Sequence, residues 1–189
     1  MLQHLLDHEA WPRALVFVAS RHSTEQVATA LSKAGIAAQP LHGDLAQGRR
    51  QRTLDAFRQQ QLRVLVTTDL AARGIDIAAL PVVVNYDLPR STADYTHRIG
   101  RSARAGAEGQ ALSFVDAASA AHLRLIEKRQ GVRVPRERIP GFEPTPAPAP
   151  AAAATEATAS TGGVKGKRPS KKDRLRAARA QGGEPPASG

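Results

Sequence analysis

Short apolar runs alternating with segments of helical periodicity constrain this 189-residue chain more than any other feature. Ala14-Leu15-Val16-Phe17-Val18-Ala19 is unbroken apolar sequence, the pattern of a strand buried on both faces. Ile36 to Leu41, Arg63 to Thr67, Leu80 to Tyr86 and Gln110 to Val115 are four more strand candidates, with Val82-Val83-Val84 the most apolar. Between them, 22–34 reads as a helix with Val27, Ala30 and Leu31 inward, Ser23 as its cap and Gly35 as its stop. Gln47 to Gln59 (Leu54 and Phe57 inward), Ser91 to Arg98 (with Ser91 and Asp94 as a capping box) and Ala117 to Arg129 (Leu123 and Ile126 inward) are the other helices. Strand–helix alternation predicts an α/β fold with a parallel sheet and right-handed crossovers. Ligands of such sheets bind outside the carboxyl ends of the strands. Segments 42–50, 67–76 and 95–104 follow the second, third and fourth strand runs and are therefore the expected site.

Composition narrows the partners. The net charge is +10, and residues 1–140 already carry 19 Lys/Arg against 13 Asp/Glu, which suits a polyanion. Cysteine is absent, which excludes disulfides and cysteine-bound metal and fits a cytoplasmic location. No apolar run reaches the roughly 18 residues of a membrane span, and the N-terminus lacks the basic start and apolar stretch of a signal peptide. After Gly141 the composition changes. The division expected is a folded lobe over 1–140, a Pro/Ala/Thr-rich linker over 141–164 and a basic disordered tail over 165–189, where 165–179 hold eight Lys/Arg and one acid.

Arg98, Arg101 and Arg104 recur every third residue, so on a helix they would share one face. Three clustered cations repel unless an anion faces them, and guanidinium donors match phosphate oxygens in bidentate geometry. Yet no phosphate loop of the form Gly-x-x-x-x-Gly-Lys-Ser/Thr follows a strand. The run Gly162-Gly163-Val164-Lys165-Gly166-Lys167 has the wrong spacing and no strand before it. Arginines for phosphate without a phosphate cradle suggest half of a two-part nucleotide machine.

Five segments in order now carry a resemblance: Val16-Phe17-Val18-Ala19-Ser20; His42-Gly43-Asp44 with Gln47 and Arg50; Asp55-Ala56-Phe57-Arg58; Thr68-Asp69 through Arg73-Gly74-Ile75-Asp76; and His97-Arg98-Ile99-Gly100-Arg101-Ser102-Ala103-Arg104. Over about residues 10–140 the chain resembles the C-terminal RecA-like lobe of DEAD-box ATP-dependent RNA helicases. Val134 to Glu143 resembles the lobe end of the bacterial RhlE-like subgroup. The resemblance implies a RecA-like parallel sheet sandwiched by helices, ATP with magnesium as cofactor, RNA as partner, and an N-terminal lobe that holds the metal ligands and completes the enzyme. Without the Walker A and DEAD motifs the isolated chain is expected to be inactive as an ATP hydrolase.

Roles follow from the resemblance, position by position. Arg101 and Arg104 would reach the ATP phosphates, with Arg104 the arginine finger. Asp76 would bind the ribose, with Gly74 allowing the backbone geometry. Gly43, Gln47, Arg50 and Thr68 would line an RNA track that contacts phosphates rather than bases, while Arg73 fits either RNA binding or a bridge between lobes. His97, with Arg98 beside it, would couple the lobes. No metal ligands are assigned. Three positions depart from the family pattern. Ser102 keeps the hydroxyl of the usual threonine, Ala103 replaces the usual glycine, and Gln60 replaces a common glycine with little expected consequence. Two other readings share these residues: a stand-alone RNA-binding or annealing module without ATP turnover, and a lobe of a DNA-acting superfamily-two helicase.

Overall fold

Each apolar run becomes a strand: β1 (Ala14–Phe17), β2 (Ala38–Leu41), β3 (Val64–Thr67), β4 (Val82–Asn85) and β5 (Gln110–Ser113). The helices are α1 (Leu2–His8), α2 (Arg21–Lys33), α3 (Gln47–Arg58), α4 (Asp69–Ala72), α5 (Thr92–Ile99) and α6 (Ala120–Gln130). The computed structural model describes residues 1–9, 11–73, 75, 77, 79–102 and 109–143. The expected linker from 144 and the basic tail lie outside them.

The strands form a parallel sheet in the order β2-β3-β1-β4-β5. Their ends are level, so Leu41, Thr67, Phe17, Asn85 and Ser113 make a single row along the carboxyl edge. Strands β1, β3 and β4 are buried at every position, which explains their unbroken apolar sequence. β2 is an edge strand, where Pro40 is tolerated because only one neighbour needs its ladder.

Alternate side chains divide the core into two layers. Ala14, Val16, Val64, Val66, Val82 and Val84 pack with Leu6 of α1 and Leu31 of α2 on one face. Leu15, Phe17, Leu65 and Val83 pack with Leu54 and Phe57 of α3 and with Ile75, Ile77 and Leu80 on the other. Each fully buried Val or Leu contributes about 1.5–3 kcal/mol relative to exposure.

Three local features differ from the sequence reading. Ser20, rather than Ser23, caps the second helix: its hydroxyl accepts from the Ser23 amide at 3.0 Å. The helix α1 has too few residues to show a periodicity, and tertiary contacts hold it. Leu2 and Leu6 are buried, and the Arg63 guanidinium donates to the carbonyls of Leu6, Glu9 (3.2 Å) and Trp11 (3.0 Å) around its C-terminal end.

The third change concerns Gln60. Helices α2 and α3 end in the same hydrogen-bond pattern. In α2, the Gly35 amide donates to Ser32 O and Ile36 to Leu31 O; in α3, Gln60 donates to Phe57 O and Gln61 to Ala56 O. Both are Schellman motifs, which place the residue after the cap in the left-handed region. Gly35 has φ +82° and Gln60 has φ +62°. A side chain there costs roughly 1–2 kcal/mol, partly offset by the flexibility glycine adds to the unfolded chain. A glycine at this position would escape that cost. Gln60→Gly is expected to raise the unfolding free energy by about 0.5–1 kcal/mol in a urea titration, with an unchanged m-value.

Candidate functional site

The carboxyl edge is organised around one buried cation. Arg98, near the end of α5, is 2% exposed and turned into the lobe. Its Nε and Nη2 donate to the two carboxylate oxygens of Asp69 at 2.6 and 2.7 Å, a bidentate pair. Its Nη1 donates to Asn85 Oδ1 at 2.9 Å and to the Asp87 carbonyl at 2.7 Å, and the guanidinium lies 4.8 Å from the centre of the Phe17 ring. One side chain therefore joins the ends of β1, β3 and β4 to α5. Asn85 is itself held by Ser113 Oγ at 3.1 Å, which extends the network to β5.

This corrects the expectation of three arginines on one helical face. α5 ends at Ile99 with Gly100 as its cap, so Arg101 lies beyond the helix. Arg101 Nη1 donates to Ile75 O at 3.0 Å and more distantly to Ile77 O at 3.5 Å, over an apolar pocket lined by Leu15, Leu41 and Leu65. The following bridge between Leu80 and Ser102, with Leu80 N donating to Arg101 O at 3.1 Å, fixes this segment against the approach to β4. Arg98 and Arg101 thus point to different places. The Arg98 guanidinium is fully engaged by partners of its own chain. His97, next to Arg98 on α5, is exposed.

The other assigned residues sit around the same edge. Gly43 and Gln47 are exposed after β2, and Arg50 is half-buried on α3, donating from Nη2 to Ala71 O at 2.8 Å. That bond ties α3 to α4. Thr68 caps α4, accepting from the Ala71 amide at 3.4 Å. Arg73 is 66% exposed and donates to Asp94 Oδ1 at 3.0 Å. Gly74, Asp76 and Arg104, with Ala103, lie outside the described residues. Among the described residues no group of three His, Cys, Asp or Glu could hold a metal ion, and no helix is long and apolar enough to cross a membrane.

The partners of Arg98 and Arg73 escaped sequence reasoning. Asp69 stood inside a quoted motif without a role. Asn85 carried a usable signal: a polar residue closing the Val82-Val83-Val84 run must find a buried partner.

Comparison with known proteins now bears on this geometry. The model of the helicase conserved C-terminal domain matches residues 1–106. The chain belongs to that family. CshA, an ATP-dependent RNA helicase of Listeria monocytogenes, is 38% identical over 143 residues, which are 76% of this chain and 28% of CshA. The structure of the E. coli DEAD-box protein SrmB bound to RraA superposes with a TM-score of 0.72 at 39% identity, covering 78% of this chain and 88% of that one. S. cerevisiae Dbp5 bound to RNA and ADP BeF3 superposes with a TM-score of 0.65 at 39% identity, covering 71% of this chain and 37% of Dbp5. The lobe is thus a helicase C-terminal domain of the DEAD-box RNA helicase kind, and its fold is the RecA-like sheet expected. The chain spans about a quarter of the length of the curated relatives it matches.

Two ion pairs at this edge differ in kind. Asp69→Ala would leave Arg98 buried without its counter-charge and is expected to cost about 3 kcal/mol or more in denaturant unfolding. Arg73→Ala removes an exposed partner and is expected to change stability by less than about 1 kcal/mol. The Ser91 hydroxyl, and after it Arg73, hold the Asp94 carboxyl below its ordinary value of 3.8. A depressed carboxylate contributes stability above its unfolded pKa and loses it as pH falls through the lower folded value. Asp94→Asn should therefore lower stability at neutral pH and remove part of the decline below about pH 4, read from Tm against pH.

Proposed function

We propose that this chain supplies the C-terminal half of an ATP-dependent RNA helicase, closing with an N-terminal lobe over ATP and single-stranded RNA. The observation that carries the reading is the linkage of the two arginine-bearing segments. Arg98 grips Asp69, and Arg101 grips the carbonyls on both sides of position 76. The segment that would meet ribose and the segment that would meet phosphate therefore move as a unit. RNA and a nucleotide bound to the similar Dbp5 support the same assignment.

In this reading Gly43, Gln47, Arg50, Thr68 and Arg73 form the RNA track. Backbone amides, a hydroxyl and guanidiniums contact phosphates, so binding is sequence-tolerant and weakens with salt. Arg50 and Arg73 already hold intramolecular partners; Arg73 is the more exposed and exchanges Asp94 for phosphate at lower cost.

ATP with magnesium would be the cofactor of the complete enzyme and would supply the phosphoryl group to be transferred to water. Arg101 is part of the phosphate-binding set in this reading, with its Nη1 donating to Ile75 O and, more distantly, to Ile77 O. Arg104 is the finger and Asp76 the ribose acceptor. His97, exposed on α5, faces the partner lobe. Magnesium would be held by the N-terminal lobe.

With a complementing N-terminal DEAD-box lobe, Arg104→Ala is expected to lower RNA-stimulated ATP turnover by about 10³-fold or more while RNA binding persists. Equal turnover by variant and wild type removes the finger assignment. Deleting 144–189, with its eight basic residues, is expected to weaken RNA affinity and flatten its dependence on salt, measured by fluorescence anisotropy from 50 to about 200 mM salt. An unchanged slope would separate the tail from RNA binding.

A further inference from the structure

The loop leaving β2 is held by a pair of charges that the helicase reading does not use. Arg21 and Glu25 lie four residues apart on the first turns of α2 and so share a face. Opposite them lies His42-Gly43-Asp44. Arg21 Nη1 donates to both carboxylate oxygens of Asp44, and Glu25 Oε1 meets His42 Nε2 at 2.8 Å. From the sheet side, Thr67 Oγ1 donates to Leu41 O at 3.0 Å and fixes the end of β2.

Two features are hard to explain by stability alone. The His42 side chain is 9% exposed, yet its buried Nδ1 has no hydrogen-bond partner among the described residues. A buried polar atom left unpaired costs about 1–3 kcal/mol, which an apolar residue would avoid. Both Arg21 and Asp44 are more than half exposed, where an ion pair contributes little to folding. Gly43 sits between the two pairs. Its φ lies outside the left-handed region, and a Cβ there would meet nothing within 4 Å. The fold does not require glycine at this point; the open space in front of its backbone is available to a ligand.

We propose that Glu25 and His42 are positioning residues that set the Gly43 backbone and Gln47 against an RNA phosphate, and that Arg21 neutralises Asp44 so that its carboxylate does not repel that phosphate. The proposal rests on the RNA-track reading. It assigns α2, which lies outside that track, control over two of its five residues, Gly43 and Gln47. The glutamate–imidazole contact fixes the direction of the loop, and the arginine–carboxylate contact fixes its charge. Asp44 adjoins Gly43 in the chain, so an unpaired carboxylate would stand a few ångströms from a phosphate oxygen, where like charges oppose each other by about 1 kcal/mol or more.

The test is a titration of the full chain with a ten-nucleotide oligouridylate, followed through backbone amide NMR signals. In the wild type, Gly43, Gln47 and Thr68 respond together. Glu25→Ala is expected to diminish the responses of Gly43 and Gln47 and weaken binding roughly three- to tenfold, with Thr68 still responding. His42→Gln, whose amide can replace Nε2, should restore much of the response that His42→Ala loses. Arg21→Ala should weaken binding to a similar degree, and Arg21→Ala/Asp44→Asn should recover it, although that double variant has no salt bridge at all. A pair that acted only in folding would not be rescued by neutralising its second member. Signals of β1, β3 and β4 report folding in every variant, and the exposed Arg21 and Asp44 substitutions leave the core untouched. Wild-type responses at Gly43 and Gln47 that survive Glu25→Ala and Arg21→Ala unchanged would overturn the clasp and leave the RNA track standing. A wild type in which RNA moves none of Gly43, Gln47 and Thr68 would overturn the RNA track, and the clasp with it.

Discussion

A guanidinium sealed inside the carboxyl edge of the sheet sets the geometry of everything around it. Arg98 is surrounded by the Asp69 carboxylate, the Asn85 amide, the Asp87 carbonyl and the Phe17 ring, which come from three strands and the segments that follow them. Removing a charge from water is costly, and the bidentate pair with its further hydrogen bonds offsets that cost only when all partners are in place. The arrangement therefore behaves as a unit: the end of β3 cannot shift against the end of β4 without uncovering the cation. Rigidity of this kind suits a surface that must present several groups to one ligand.

Around that centre, contacts pass from segment to segment by side chain to backbone. Arg50 reaches Ala71, Arg101 reaches Ile75, and Arg63 reaches the end of α1. Carbonyl groups left over at helix ends and in connections must find donors, and an arginine can supply several at once. The basic composition of the lobe thus has two sources. Some arginines are structural donors whose charge is spent inside the chain. Others, such as Arg73, keep most of their surface in solvent. Net charge alone does not separate the two groups.

The placement of the motif segments along the sheet was legible in the sequence. The described residues that follow the second, third and fourth strands leave from one edge, because parallel strands with level ends bring their following loops to the same side. What each arginine does there was not legible. Spacing of three suggested one face, but Gly100 ends the helix between Arg98 and Arg101 and sends the two guanidiniums apart. The consequence of Gln60 was equally hidden, since a residue name does not disclose that the backbone beneath it adopts φ +62°.

By itself the sequence determined the parallel α/β class, the strand positions, most of the helices and the family, since these depend on periodicities and motifs confined to short stretches of chain. Only the tertiary structure decided the strand order, the inward turn of Arg98, the anchoring of α1 by Arg63 and the pairing of α2 with the loop after β2. Arg98 and Asp69 are 29 residues apart, and Arg63 and Leu6 are 57 apart. A guanidinium takes whichever acceptors the topology delivers to it, and no local pattern records which ones those will be.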